Sequence, residues 1–247
     1  MLARVTHAAI AHIWAERAQA ELGAARKFRS LALRLQEHDA PEKIIALTRE
    51  AAEDEDRHAF LCAKVARKWG HSRGFATPQG IQDKNIKSWA QCSSRDELLL
   101  DVVLMCCITE SFNASLLNSI YARIERRAER ELIHHILKDE VKHGQIGWAY
   151  LQHEISLRDC SFIEPYLTEM LDMVVREELF MSSFGSIEDS YSFGVMPEKD
   201  RLKQFSLTLE QVICPGFMHF GIDSSALNEW LVQKKSQGAS SVQENDK

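Results

Sequence analysis

Two Glu-x-x-His pairs, Glu55/His58 and Glu140/His143, each follow a solitary glutamate on the preceding helix-like run, at Glu21 and Glu110. Glu55 comes 34 positions after Glu21, and Glu140 comes 30 after Glu110. Residues at i and i+3 share one face of a helix, so the Glu and His of each pair point the same way. One Glu from each of two helices, with Glu-x-x-His from each of two others, is the ligand set of a carboxylate-bridged metal pair inside a four-helix bundle. Oxygen-rich ligation with few imidazoles suits iron or manganese and leaves coordination positions open.

A single Glu-x-x-His arises easily by chance in a chain with 10 histidines, and Glu131/His134 supplies an internal control. Glu131 lies nine residues before Glu140 and so points about 180° away from it. Arg126, Arg127, Arg130 and Lys138 surround it, as on a solvated face. The other pairs sit among apolar residues. Ile133, Ile136, Leu137, Gly144 and Leu151 share the face of Glu140, while Ile44, Leu47, Ala59, Cys62 and Ala66 share that of Glu55. Glu110 is the only acid between Asp101 and Glu125, in the run LLLDVVLMCCITESFNASLL. A carboxylate on such a face is costly unless something satisfies it, and a metal ion does so.

Two residues compete on the first helix. The face of Glu21 holds Trp14, Ala18, Leu22, Ala25 and Phe28, interrupted by Arg17, whereas that of Glu16 holds His12, Gln19, Gly23 and Lys27. Counted from the turn near Asp39–Pro41, Glu21 also stands level with Glu55 in an antiparallel pair. Glu21 is the expected ligand.

The remaining composition narrows the class. A net charge of −6 and no basic stripe argue against nucleic acid as the main partner. Six cysteines without a Cys-x-x-Cys motif are expected to be reduced, which points to a cytoplasmic protein. The N-terminal run enters an amphipathic helix without a signal-peptide pattern, and no membrane span is expected.

Periodicity places four long helices: about 6–37, 41–69, from Ser94 to about 123, and about 129–156. Ser94 with Glu97 reads as a capping box at the start of the third, and Gly70 as the residue closing the second. The expected organisation is an all-α four-helix bundle over residues 1–156, accessory helices over 157–233 and a disordered tail over 234–247. The apolar series Phe162, Tyr166, Leu167, Met170, Leu171, Val174 and Leu179 is expected to pack on the bundle, to form a homodimer contact, or both. The segment Ser182–Pro197 is the expected gate of the site.

The motifs DEDRH (Asp54–His58) and DEVKH (Asp139–His143) resemble the D-E-x-[RK]-H pattern of ferritin-like non-haem di-iron proteins, in particular bacterial multicomponent monooxygenases and their relatives. The spacing and length are also similar to aldehyde-deformylating oxygenases and arylamine N-oxygenases. The resemblance covers about residues 6–155. It implies a ferritin-like fold, two iron ions (or manganese with iron) and Glu21, Glu55, His58, Glu110, Glu140 and His143 as ligands. Asp54 and Asp139 would orient the ligand histidines from behind, across the bundle. No subfamily matches throughout. Cys62 replaces the radical tyrosine of ribonucleotide reductases, Ile136 the additional histidine of arylamine N-oxygenases, and Ala114 the threonine of toluene and methane monooxygenases.

The expected activity is therefore that of a di-iron oxygenase or oxidase acting on a small organic substrate with dioxygen, by hydroxylation, N-oxygenation, desaturation or C–C cleavage. Without a nicotinamide or flavin motif, electrons would come from a separate protein. The alternative is a ferroxidase or other iron-handling protein. Small residues one turn from the ligands, among them Ala25, Cys107, Ala114, Gly144 and Gly147, leave room for a pocket, although close helix packing explains each singly.

Overall fold

The computed structural model describes residues 7–72, 87–176 and 190–244, and among these the regular structure is helical throughout. Helix α1 (His7–Glu37) turns back into α2 (Glu42–Lys68). Asp39 makes that turn in the left-handed region, with φ 54°, which a short polar side chain tolerates better than most. At the end of α2, Gly70 takes φ 101°. The His71 amide then reaches the Ala66 carbonyl at 3.0 Å, satisfying a terminal carbonyl as glycine-closed helices do.

Helix α3 (Ser94–Tyr121) is capped by Ser93, whose hydroxyl accepts from the Asp96 amide at 3.2 Å. The helix cap is thus Ser93, one residue earlier than the Ser94 of the expected Ser94/Glu97 box. Either serine has the chemistry to cap, and periodicity does not separate neighbours. Within α3, residues Val103–Glu110 wind as a π-helix. The Thr109 hydroxyl follows the same five-residue step, donating to the Leu104 carbonyl at 3.0 Å. Such bulges cluster at functional sites, and this one ends on Glu110.

Helix α4 (Arg127–Leu157) packs against the bulge. A Cβ on Gly147 would lie 2.6 Å from Cys106 Cβ and 2.8 Å from the Cys107 amide nitrogen. Gly147 thus serves close helix contact and not a pocket. Beyond the bundle come α5 (Leu167–Val174), α6 (Glu198–Thr208), a π-helical turn at Leu209–Ile213, α7 (Cys214–His219) and α8 (Ser225–Glu244). Leu167, Met170, Leu171 and Val174 join one core with Phe205, Phe217, Trp230 and the bundle residues Phe28, Leu98 and Tyr150. Leu179 of the expected apolar series lies outside the described residues. The tail expected to be disordered from 234 instead continues α8 to Glu244. Its polar composition bears on packing, while Lys, Gln, Ala and Glu are all compatible with helical backbone.

A second core joins the start of α1 to the ends of α2 and α3 and the start of α4: Trp14, Ala18, Cys62, Ala66, Leu117, Ile120, Ile133 and Ile136. Each fully buried Phe or Ile in either core contributes about 1.5–3 kcal/mol. The Ser182–Pro197 segment is described from 190 onward. There Gly194, Val195 and Met196 are buried, and Trp14 Nε1 donates to the Phe193 carbonyl at 3.0 Å. That half is packed rather than loose.

Against the expectation of no membrane-length apolar stretch, α3 is long and apolar enough, with mean hydropathy 1.5, but most of it is buried inside the bundle. A core helix of this kind meets the same criterion of length and composition.

Candidate metal centre

The two cores leave a polar layer between them. Glu55, His58, Glu110, Glu140 and His143 are all buried there, and Glu21 is half-buried. Each residue reaches the layer because an apolar helical face carries it inward. Two groups form. Glu21, Glu55, His58 and Glu140 bring ligand atoms within 4.8 Å of one another, and so do Glu55, Glu110, Glu140 and His143. Glu55 and Glu140 belong to both.

The imidazoles present Nδ1 to this layer. His58 Nδ1 lies 3.3 Å from Glu55 Oε2 and 3.5 Å from Glu140 Oε1. His143 Nδ1 lies 2.9 Å from Glu55 Oε1 and 3.4 Å from Glu140 Oε2. Behind the rings, His58 Nε2 meets Asp139 at 3.3 Å and His143 Nε2 meets Asp54 at 3.4 Å. The pairs are crossed, so each aspartate orients the histidine of the other motif. Phe28 packs on the His143 ring with centroids 5.2 Å apart.

Arg57 adds a link that the sequence reading did not assign. It donates to Asp54 at 2.6 Å and to Asp139 at 2.8 Å, while Lys142 donates to Asp139 at 2.7 Å. The signal was present, since a cation occupies the same place in DEDRH and DEVKH. Asn113, also unassigned, donates to Glu110 Oε2 at 3.4 Å.

Electrostatics separates this cluster from ordinary buried acids. Glu129 is neutralised by Lys68 at 2.6 Å, and Glu154 by Arg95 at 2.8 Å and Arg158 at 2.7 Å. Among the described residues, Glu21, Glu55, Glu110 and Glu140 have no Lys or Arg partner, only two imidazoles. Burial and the neighbouring Glu55 and Glu140 push Glu21 well above the usual carboxylate range. Burial and Glu140 do the same to Glu110. Burial alone would lower His58, but the Glu140 and Glu55 carboxylates outweigh it and push the imidazole up to about 11. His143 is likewise raised against its burial by Asp54, Glu140 and Glu55. Burial alone would raise Glu140, but contacts with His143 and His58 hold it well below the carboxylate range.

The donor set fits divalent metal. Glu140 Oε2 and His143 Nδ1 are buried and close to carboxylate or imidazole atoms, His143 Nδ1 lying 2.9 Å from Glu55 Oε1 and 3.4 Å from Glu140 Oε2, yet neither makes a well-aligned hydrogen bond, an arrangement seldom left in a protein interior. Four carboxylates carry the charge that two divalent ions neutralise. Glu131 and His134 lie at the surface, with Arg127 on Glu131 at 2.9 Å. Glu16 is away from the cluster and contacts His12 at 3.1 Å. Of the pocket positions, Ala25 and Cys107 are fully buried and Ala114 is half-buried, while a Cβ on Gly144 would meet Ser111 Oγ at 3.5 Å, an ordinary packing contact.

A scan of the chain against protein-family models finds no match, and neither does a search of the curated proteins.

Proposed function

We propose that the chain binds two iron ions, or manganese with iron, and uses them to oxidise a small organic substrate with dioxygen. The observation that carries this reading is the sharing of Glu55 and Glu140 between two four-residue ligand groups. A site for one ion needs no second group. Redox-active metal bound there would supply the electron chemistry with oxygen.

The remaining tasks fall to the chain's own side chains. Glu55 and Glu140 would bridge, Glu21 and His58 would complete one ion's shell, and Glu110 and His143 the other's. Asp54 and Asp139 hold the imidazole Nε2 protons, so that Nδ1 stays available as a donor. Trp14, Cys62 and Ile136 on one side and Phe28, Cys106 and Ile108 on the other keep water out of the layer. The sequence carries no motif for a nicotinamide or flavin, so a separate redox protein would return electrons to the site.

Anaerobic loading with Fe(II), followed by oxygen uptake and particle-mass measurement, tests the reading. Oxygen uptake by a small particle that stimulates with substrate supports it. A large cage that mineralises iron without organic substrate would replace it with iron handling.

A further inference from the structure

We infer that the substrate is a carboxylic acid and that Arg17 holds its carboxylate beside the metal centre, a step that rests on the oxidase reading above. Glu21 is the one member of the two ligand groups that is not fully buried, so the layer is nearest to solvent along the Glu21 side of α1. Arg17 stands one turn before Glu21 on the same helix face, where a guanidinium interrupts Trp14, Ala18, Leu22 and Ala25. It is itself half-buried.

Three other partly buried arginines have carboxylate partners. Arg34 pairs with Asp101, Arg95 with Glu154, and Arg158 with Asp96 and Glu154. Among the described residues Arg17 has none. It donates to the Gly194 carbonyl over a long 3.4 Å and lies 4.6 Å from the centroid of the Trp14 ring. A guanidinium has five N–H donors, and the Gly194 bond uses one. The Trp14 ring beside it shields part of the guanidinium from water, and a guanidinium fork matches a planar, bidentate anion.

Its charge also reaches the metal side of the helix. The buried Cys62 thiol, one turn beyond His58, is raised by burial and by Glu21, and Arg17 opposes that rise. A purely structural role, pinning residues 193–194 to α1, accounts for the carbonyl contact. With the Trp14 ring contact it uses one face and one N–H of the guanidinium and leaves the other donors to a further acceptor. A carboxylate on Arg17 supplies the missing counter-ion and places the rest of the molecule within one helical turn of Glu21.

Calorimetry on the full-length protein loaded anaerobically with Fe(II), using octanoate and its neutral isostere octanamide, tests this. Octanoate is expected to bind at least 10-fold tighter than octanamide. Arg17→Gln, whose amide can keep the Gly194 contact, should remove that preference, and Arg17→Lys should retain most of it. Binding of azide, a small anion that binds at the metals, should be unchanged in both variants. A carboxylate preference that survives Arg17→Gln would place the anion on the metals and overturn the inference. So would equal binding of the two probes by the unmodified protein, or binding of neither. Failure to take up iron or azide at all would instead remove the oxidase reading.

Discussion

His58 and Asp139 face each other across α2 and α4, with imidazole Nε2 3.3 Å from carboxylate Oδ2. The His143–Asp54 contact at 3.4 Å repeats the relation in the opposite direction. Each helix motif therefore orients the other's histidine. Asp139→Asn retains the shape of the side chain and removes its charge. It should weaken metal binding roughly 10- to 100-fold with the helical content unchanged, as read by metal titration beside circular dichroism. Unaltered affinity would show that the contact does not position the ring.

Glu110 and Glu131 make a matched pair of substitutions on neighbouring helices. Glu110→Ala should remove at least one metal ion and leave the fold intact, since Glu110 has no stabilising cation to lose. Glu131→Ala, at the surface with Arg127, should keep the full metal content and shift stability by no more than about 0.5 kcal/mol. Elemental analysis of the two purified variants compares them directly. The reverse pattern would mean that the centre has been placed on the wrong helix face.

The legibility of this site in the sequence follows from its physics. Glu55/His58 and Glu140/His143 could be paired because an i, i+3 step on an apolar face has one outcome, and Glu110 because no other acid lies near it. Glu21 required an added argument from height in the bundle, which its position beside Glu55 now matches. The π-turn at Val103–Glu110 was not legible, since a change from four- to five-residue hydrogen bonding leaves apolar periodicity nearly unaltered over eight residues. Arg57 had no legible role in the sequence, because its tie to Asp139 spans 82 positions. The contact between Trp14 and Phe193 is more remote still, spanning 179 positions. Local pattern identified the buried Glu/His cluster, while long-range packing determined what supports it.

Gly147 reports on that support. Gly147→Ala would drive a methyl group into Cys106 and Cys107, two residues whose backbone belongs to the π-turn. The substitution should cost about 1–3 kcal/mol by overpacking, with an accompanying loss of metal affinity because the turn ends on Glu110. Thermal melts of the metal-free and metal-loaded forms measure both effects. A variant as stable as the parent would show that the bulge yields freely.

Proton competition sets the pH dependence. In the metal-free protein His58 is raised to about 11, against an unperturbed value of about 6.5. Its pairing with Glu140 and Glu55 therefore stabilises the fold fully below about 6.5, and that contribution is lost as pH rises through about 11. Metal binding runs the other way. The imidazoles must release their protons to coordinate, so apparent affinity should strengthen steadily from pH 6 to pH 9. Calorimetry in buffers of different ionisation enthalpy should register protons released on loading. Affinity independent of pH, with no proton release, would contradict His58 and His143 as ligands.

The most direct measurement is the metal content and geometry of the loaded protein, by elemental analysis combined with anomalous X-ray diffraction at the metal edge. The expected result is two ions per chain about 3.5–4 Å apart, both touching Glu55 and Glu140, with Glu21 and His58 on one and Glu110 and His143 on the other. A single ion, or two ions that share neither Glu55 nor Glu140, would contradict the carboxylate-bridged centre.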